Sequence, residues 1–263
     1  MLTSTLGSRH GPRRSCRAPA ILWSNIGQLA AEYETIAQAA QHDRWATLLA
    51  HAGLTSDQVD LVLESDAYPA LSAELRHAEA NHHNLDALLP RLIAARGLDD
   101  ADDIASVIHS RLARATARPA GSGRTRKPPR LIAGLIPHAG GPMADDMRRA
   151  LDERRDLIET RADAVLTGAL ADKDAWTITL GLAPKDEKQR AAWRRAATVV
   201  AAYRDRYQIT DDRTPLGSAP QSTRQKIDAS RAHAALDRAR TIASDAPIPE
   251  PERPAAVRPV PSL

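Results

Sequence analysis

The run Ile26-Gly27-Gln28-Leu29-Ala30-Ala31-Glu32-Tyr33-Glu34-Thr35-Ile36-Ala37-Gln38-Ala39-Ala40-Gln41 decides the fold class. Ile26, Leu29, Ala30, Tyr33, Ile36, Ala37 and Ala40 recur at helical spacing, while Gln28, Glu32, Glu34, Gln38 and Gln41 take the opposite face, which predicts an amphipathic helix. Trp45, Leu48 and Leu49 prolong the stripe to Gly53, a C-cap residue. Thr55-Ser56-Asp57-Gln58 then offers a capping box, with Leu54 and Val59 as its hydrophobic staple, and opens a helix through Leu63. Leu71, Leu75 and Ala78 mark a third helix. Leu85, Leu88, Leu89, Leu92 and Ile93 mark a fourth, in which Pro90 should impose a kink or shift the start. After Gly97, Asp100 is placed to cap a fifth helix with Ile104, Val107, Ile108 and Leu112 as its buried stripe.

Composition agrees. Of 263 residues 43% are hydrophobic and 26% charged, which excludes wholesale disorder. Phe is absent, with four Trp and four Tyr, so the core must be built from Leu, Ile, Val and Ala. Close-packed helices tolerate such small side chains better than β-sandwiches or barrels do. The single cysteine, Cys16, excludes an intramolecular disulfide and every multi-cysteine metal motif, and suits a cytoplasmic location. The apolar stretch Ala20-Ile21-Leu22-Trp23 is too short for a signal peptide, and no run approaches the ~20 apolar residues of a membrane span, so no membrane insertion is expected.

The expected architecture is all-α, with an N-terminal multi-helix domain, a long-helix hairpin or three-helix arrangement, and disordered termini. Residues 1–25 read as a disordered lead and 26–115 as a compact helical domain. A basic Gly/Pro-containing linker, 116–141, comes next; within it Leu131–Ile136 could make a short strand but is expected to dock as a loop. Residues 142–243 read as the long helical region. Pro142 is placed in the first turn of a helix striped by Met143, Met147, Leu151, Ile158, Ala162, Val165 and Ala169. Trp193, Ala196, Val200, Tyr203 and Tyr207 supply a matching stripe, and a third helix spans roughly 221–242. The tail 244–263 is proline-rich and expected to be disordered.

Net charge is only +3, but its distribution is uneven. Arg111, Arg114, Arg118, Arg124, Arg126, Lys127 and Arg130 follow one another with no acid between them. Arginine pairs bidentately with phosphate, so Arg118, Arg124, Arg126, Lys127 and Arg130 are the candidate nucleic-acid contacts, weak and independent of sequence. No aromatic residue interleaves with them to stack on bases. The bland alternative is a solvated linker. Other candidates are weaker. Gly121-Ser122-Gly123-Arg124-Thr125-Arg126-Lys127 lacks the second glycine and the Ser/Thr of a phosphate-cradling loop, so no nucleotide cofactor is expected. Tyr203 and Tyr207, four apart on one helix face, could be nucleophiles but extend a core stripe. His77, His82 and His83 with Glu79 and Asp86 match no strong zinc signature, so no metal is expected and a hydrogen-bonded turn is preferred.

Several strings resemble the C-terminal region of the large TrwC/TraI-class (MobF-type) conjugative relaxase-helicases of actinobacteria. They are Gly27–Glu34, Leu75–Pro90, Gly123–Pro137, Ala192–Arg195 and Ala202–Tyr207. The resemblance spans most of residues 26–243 and implies a non-catalytic segment making DNA or protein contacts in plasmid or conjugative-element transfer, with conjugative-transfer proteins as partners. The nicking and ATPase motifs of that family do not occur here, so the chain is not expected to be an enzyme. The alternative is a structural helical module for protein interaction or self-association through its long helices.

Overall fold

The computed structural model describes residues 24–95, 97–98, 101–117, 120 and 127–245. The fold is all-α apart from one small hairpin. Its elements are α1 (Ile26–Ala40), α2 (His42–His51), α3 (Ser56–Glu64), α4 (Tyr68–Ala80), α5 (Leu85–Ala94), α6 (Ile104–Thr116), β1 (Leu131–Ile132), β2 (Ile136–Pro137), α7 (Asp145–Asp172), α8 (Ala175–Ile178), α9 (Glu187–Arg206) and α10 (Thr223–Ser244). The expected disorder of 1–25 and 244–263 falls mostly outside the described residues. Ser24, Asn25, Ser244 and Asp245 are inside them, and Asn25 caps α1 by accepting from the Gln28 N–H at 2.8 Å.

Two apolar cores divide the helices differently from the expected 26–115 unit. Trp45, Leu49, Val62, Leu71, Leu75, Leu89, Ile108 and Leu112 form one core from α2–α6. The apolar face of α1 enters the other: Ile26, Leu29, Tyr33 and Ala37 pack with Ile158, Ala162 and Leu166 of α7 and with Ala197, Val200 and Tyr203 of α9. The stripe that runs from Ile26 to Leu49 in sequence therefore serves two cores. Its break is at Gln41, whose backbone leaves the helical region and whose side chain is buried. A further tie fixes α1 to α9. The Ile26 N–H donates to Asp205 at 2.7 Å, satisfying one of the free amides of a helix start.

The second half of the expected linker is also core. Leu131 and Ile132 pair antiparallel with Pro137 and Ile136, and Ile132, Leu135, Ile136 and Ala139 are buried beside α1 and α7. The loop expected there is a hairpin because its apolar run has a core to enter. Two start signals move as well. Asp103, rather than Asp100, caps α6, accepting from the Ala105 and Ser106 N–H groups; Asp100 lies outside the described residues. α7 begins at Asp145, after Pro142, because Gly141 at φ +87° and extended Ala144 hold the chain out of helical geometry. The Thr55–Gln58 capping box forms as expected.

The hairpin tip makes a specific demand. Gly134 sits at φ +73° with Val199 of α9 against it, so a methyl group there would meet both backbone strain and the Val199 side chain. Gly134→Ala should lower stability by about 2–4 kcal/mol. Gly168, in the middle of α7 with open space around it, is the opposite case, and Gly168→Ala should add about 0.5–1 kcal/mol. Urea unfolding of the two variants checks both signs.

Candidate nucleic-acid interface

Of the five candidate contacts, Arg118, Arg124 and Arg126 lie outside the described residues. Lys127 and Arg130 are exposed on the segment leading into the hairpin. That segment is tied down. The Arg130 N–H donates to the Ala80 carbonyl at 2.9 Å, the Arg130 carbonyl accepts from the His138 N–H at 3.0 Å, and the Pro128 carbonyl accepts from His82 Nε2 at 2.8 Å. The end of α4 and these bonds thus present Lys127 and Arg130 from fixed backbone.

Beyond the hairpin the chain turns at Gly140-Gly141, and two further arginines gather there. The Gly140 carbonyl accepts from Gln41 Nε2 at 2.9 Å and Arg44 Nη1 at 3.2 Å, and the Gly141 carbonyl accepts from Arg148 Nη2 at 3.4 Å. A β-carbon at Gly141 would lie 2.7 Å from the Arg44 guanidinium carbon. The positive φ of Gly141, +87°, is what favours glycine there. Arg130 reaches the same place, donating to the Glu79 carbonyl at 3.4 Å, with its Nη1 3.9 Å from the β-carbon position of Gly140. One carboxylate, Glu79, serves this turn, and it is already held by Arg44 through both oxygens.

The residue charge is positive. Lys127, Arg130, Arg148 and Arg149 form no ion pair with a described carboxylate. Asp145 and Asp146 in the first turn of α7 dilute the patch without pairing with it. His138, half-buried and bonded to the Arg130 carbonyl through its backbone N–H, has its pKa pushed below the ordinary histidine value, first by burial and then by the charges of Arg155 and Arg130. Such a face attracts phosphate.

The other sequence candidates resolve differently. Tyr203 is buried, and the Tyr207 hydroxyl donates to Asp228 at 2.7 Å, their rings 4.9 Å apart. Burial pushes both hydroxyls above the ordinary tyrosine range, with Asp228 adding to the effect at Tyr207. That is the wrong direction for a nucleophilic phenolate. The histidines diverge, His77 donating to Glu74 and His82 to Pro128, and among the described residues no three His, Cys, Asp or Glu side chains converge as metal ligands would. A cleft of about 690 Å³ opens beside the Gly140-Gly141 turn, lined by Leu48, His51, His83, Asp86 and Met143. Its Asp43 and Asp86 carboxylates repel phosphate.

Arg44 and Arg148 were not legible as part of this face. The available signal was the pair Gly140-Gly141, which marks a close backbone approach but not what approaches. No helix among the described residues is long and apolar enough to cross a membrane. Comparison with protein-family models, curated proteins and solved structures finds no match to the chain.

Proposed function

We propose that this chain is a non-catalytic, cytoplasmic DNA-contacting protein of conjugative transfer, corresponding to the helical C-terminal region of a TrwC/TraI-class relaxase. The observation that carries the DNA reading is the set Lys127, Arg130 and Arg148, without carboxylate partners among the described residues, around the hairpin and the Gly140-Gly141 turn, with the exposed Arg149 following on α7. Cations on fixed backbone bind phosphate with less ordering cost than cations on a free linker. The assignment to conjugation rests on the string resemblance alone. Fluorescence anisotropy at low salt with two duplexes of unrelated sequence tests the contact: binding with indistinguishable affinities is expected.

A second reading, docking to a transfer protein or to another copy of the chain, draws on Ile178, at the end of α8, and Leu182 beyond it, which are 78% and 89% exposed. The long helices themselves spend their apolar faces on one another and on α1. Absence of DNA binding, together with self-association that Leu182→Glu abolishes, would favour this second reading.

A further inference from the structure

Asn25, the cap of α1, also lines a second cleft of about 680 Å³, bounded by the second half of α7, the start of α8, the end of α9 and the loop 208–212. Val165, Ala169 and Ile209 give it an apolar lining. Four carboxylates, Asp172, Asp174, Asp205 and Asp212, line it against two guanidinium groups, and both of those are engaged. Arg161 holds Asp205 at 2.7 Å, and Arg204 is turned onto the carbonyls of Ile209, Asp211, Thr214 and Pro215. Asp172 and Asp174 pair with no described cation. Gly168 stands in the same wall, inside α7, where glycine weakens a helix. A β-carbon there would meet nothing within 4 Å, so no described contact calls for glycine, whereas close approach of a further stretch of chain would.

The described chain begins at Ser24, next to Asn25 and therefore at this cleft. Residues 1–23 contain Arg9, Arg13, Arg14 and Arg17, no acid, and end in Ala20-Ile21-Leu22-Trp23. The order of groups matches the cleft. Asp205 accepts from both the Ile26 N–H and Arg161, which puts Asn25 at the Arg161 end of the α7 wall. From that end α7 presents Val165, Gly168 and Ala169 first and Asp172 last, while the chain, followed backward from Asn25, presents its apolar run first and its arginines after. Arg161 to Asp172 covers about 16 Å of helix, and the eight residues back from Asn25 to Arg17 reach up to about 27 Å. We propose that residues 13–23 dock in this cleft as an intramolecular ligand, with Ile21–Trp23 against Val165, Gly168 and Ala169, and the arginines facing Asp172, Asp174 and Asp212.

Covalent attachment makes the contact easy to form. A segment joined directly to the cleft is present there at millimolar effective concentration, so individually weak apolar and ionic contacts suffice. Docking also takes the run Ala20–Trp23 out of water and departs from the disorder expected of that part of the lead. It is independent of the DNA reading, whose Gly141 and Arg148 lie at the opposite end of α7.

Cys16, the one cysteine of the sequence, lies within the docking segment and gives a probe in the intact chain. A nitroxide attached there should give a broadened, slow-motion spectrum, and in the unlabelled chain the amides of residues 20–23 should be protected from hydrogen exchange. Asp172→Lys together with Asp174→Lys, and separately Gly168→Leu, which fills the open wall, should each sharpen the spectrum and abolish the protection. None of these positions belongs to an apolar core, and if one variant fails to fold the other carries the test. Wild-type amides exchanging at the unprotected rate, or variants that leave both readouts unchanged, would overturn the proposal. Protection that fades on dilution would assign the cleft to the lead of a second copy and overturn docking within one chain.

Discussion

Asp228→Ala is expected to lower stability by about 3–5 kcal/mol, the range for a buried ion pair deprived of one partner. Asp228 is 3% exposed in α10 and serves three groups at once: the Tyr207 hydroxyl at 2.7 Å, Arg206 Nη1 at 3.2 Å and Arg231 Nη1 at 3.5 Å. Arg231 also donates to the Leu135 carbonyl at 2.7 Å, so the carboxylate organises α9, α10 and the hairpin tip together. Removing it leaves two largely buried guanidinium groups facing one another. The loss is dominated by their desolvation rather than by the hydrogen bonds themselves. For a folded region of this size it corresponds to a fall of roughly 6–20 °C in Tm, read by circular dichroism. Asp228→Asn keeps volume and an acceptor but not charge, and should fall between wild type and alanine. A loss under about 1 kcal/mol for Asp228→Ala would mean that the arginines find other partners.

How much of this was legible depends on range. The capping box at Thr55–Gln58 and the stripe of α1 follow from local chemistry, and both stand in the structure. The destination of the α1 stripe does not. Ile26 is tied to Asp205, 179 residues away, and Gln41 to Gly140, 99 residues away, and no periodicity reports such partners. The same limit explains the hairpin. Leu131–Ile136 reads as a docked loop because its pairing spans only two residues per strand, and what orders it is Arg231, Tyr33 and α7. The basic run was visible as composition, yet Arg148 joins it only through the Gly141 carbonyl.

The second large effect concerns DNA. Replacing Lys127, Arg130, Arg148 and Arg149 together by alanine removes cations with no carboxylate partner and leaves the apolar cores untouched. Helical content should therefore be unchanged. If all four meet phosphates, each contributes about 0.9 to the slope of log affinity against log salt on a duplex. Between 50 and 200 mM salt the wild type would then lose about 150-fold in affinity through these four contacts. Arg130 and Arg148 also make long hydrogen bonds to the Glu79 and Gly141 carbonyls, so a small stability loss accompanies the change and leaves the salt slope to the phosphate contacts.

The salt dependence of duplex binding, wild type against the quadruple alanine variant, bears most directly on the central claim that this face contacts DNA. The wild type should bind without sequence preference, and the variant's slope should be shallower by roughly three to four units. Equal slopes and equal low-salt affinities for the two proteins would contradict it.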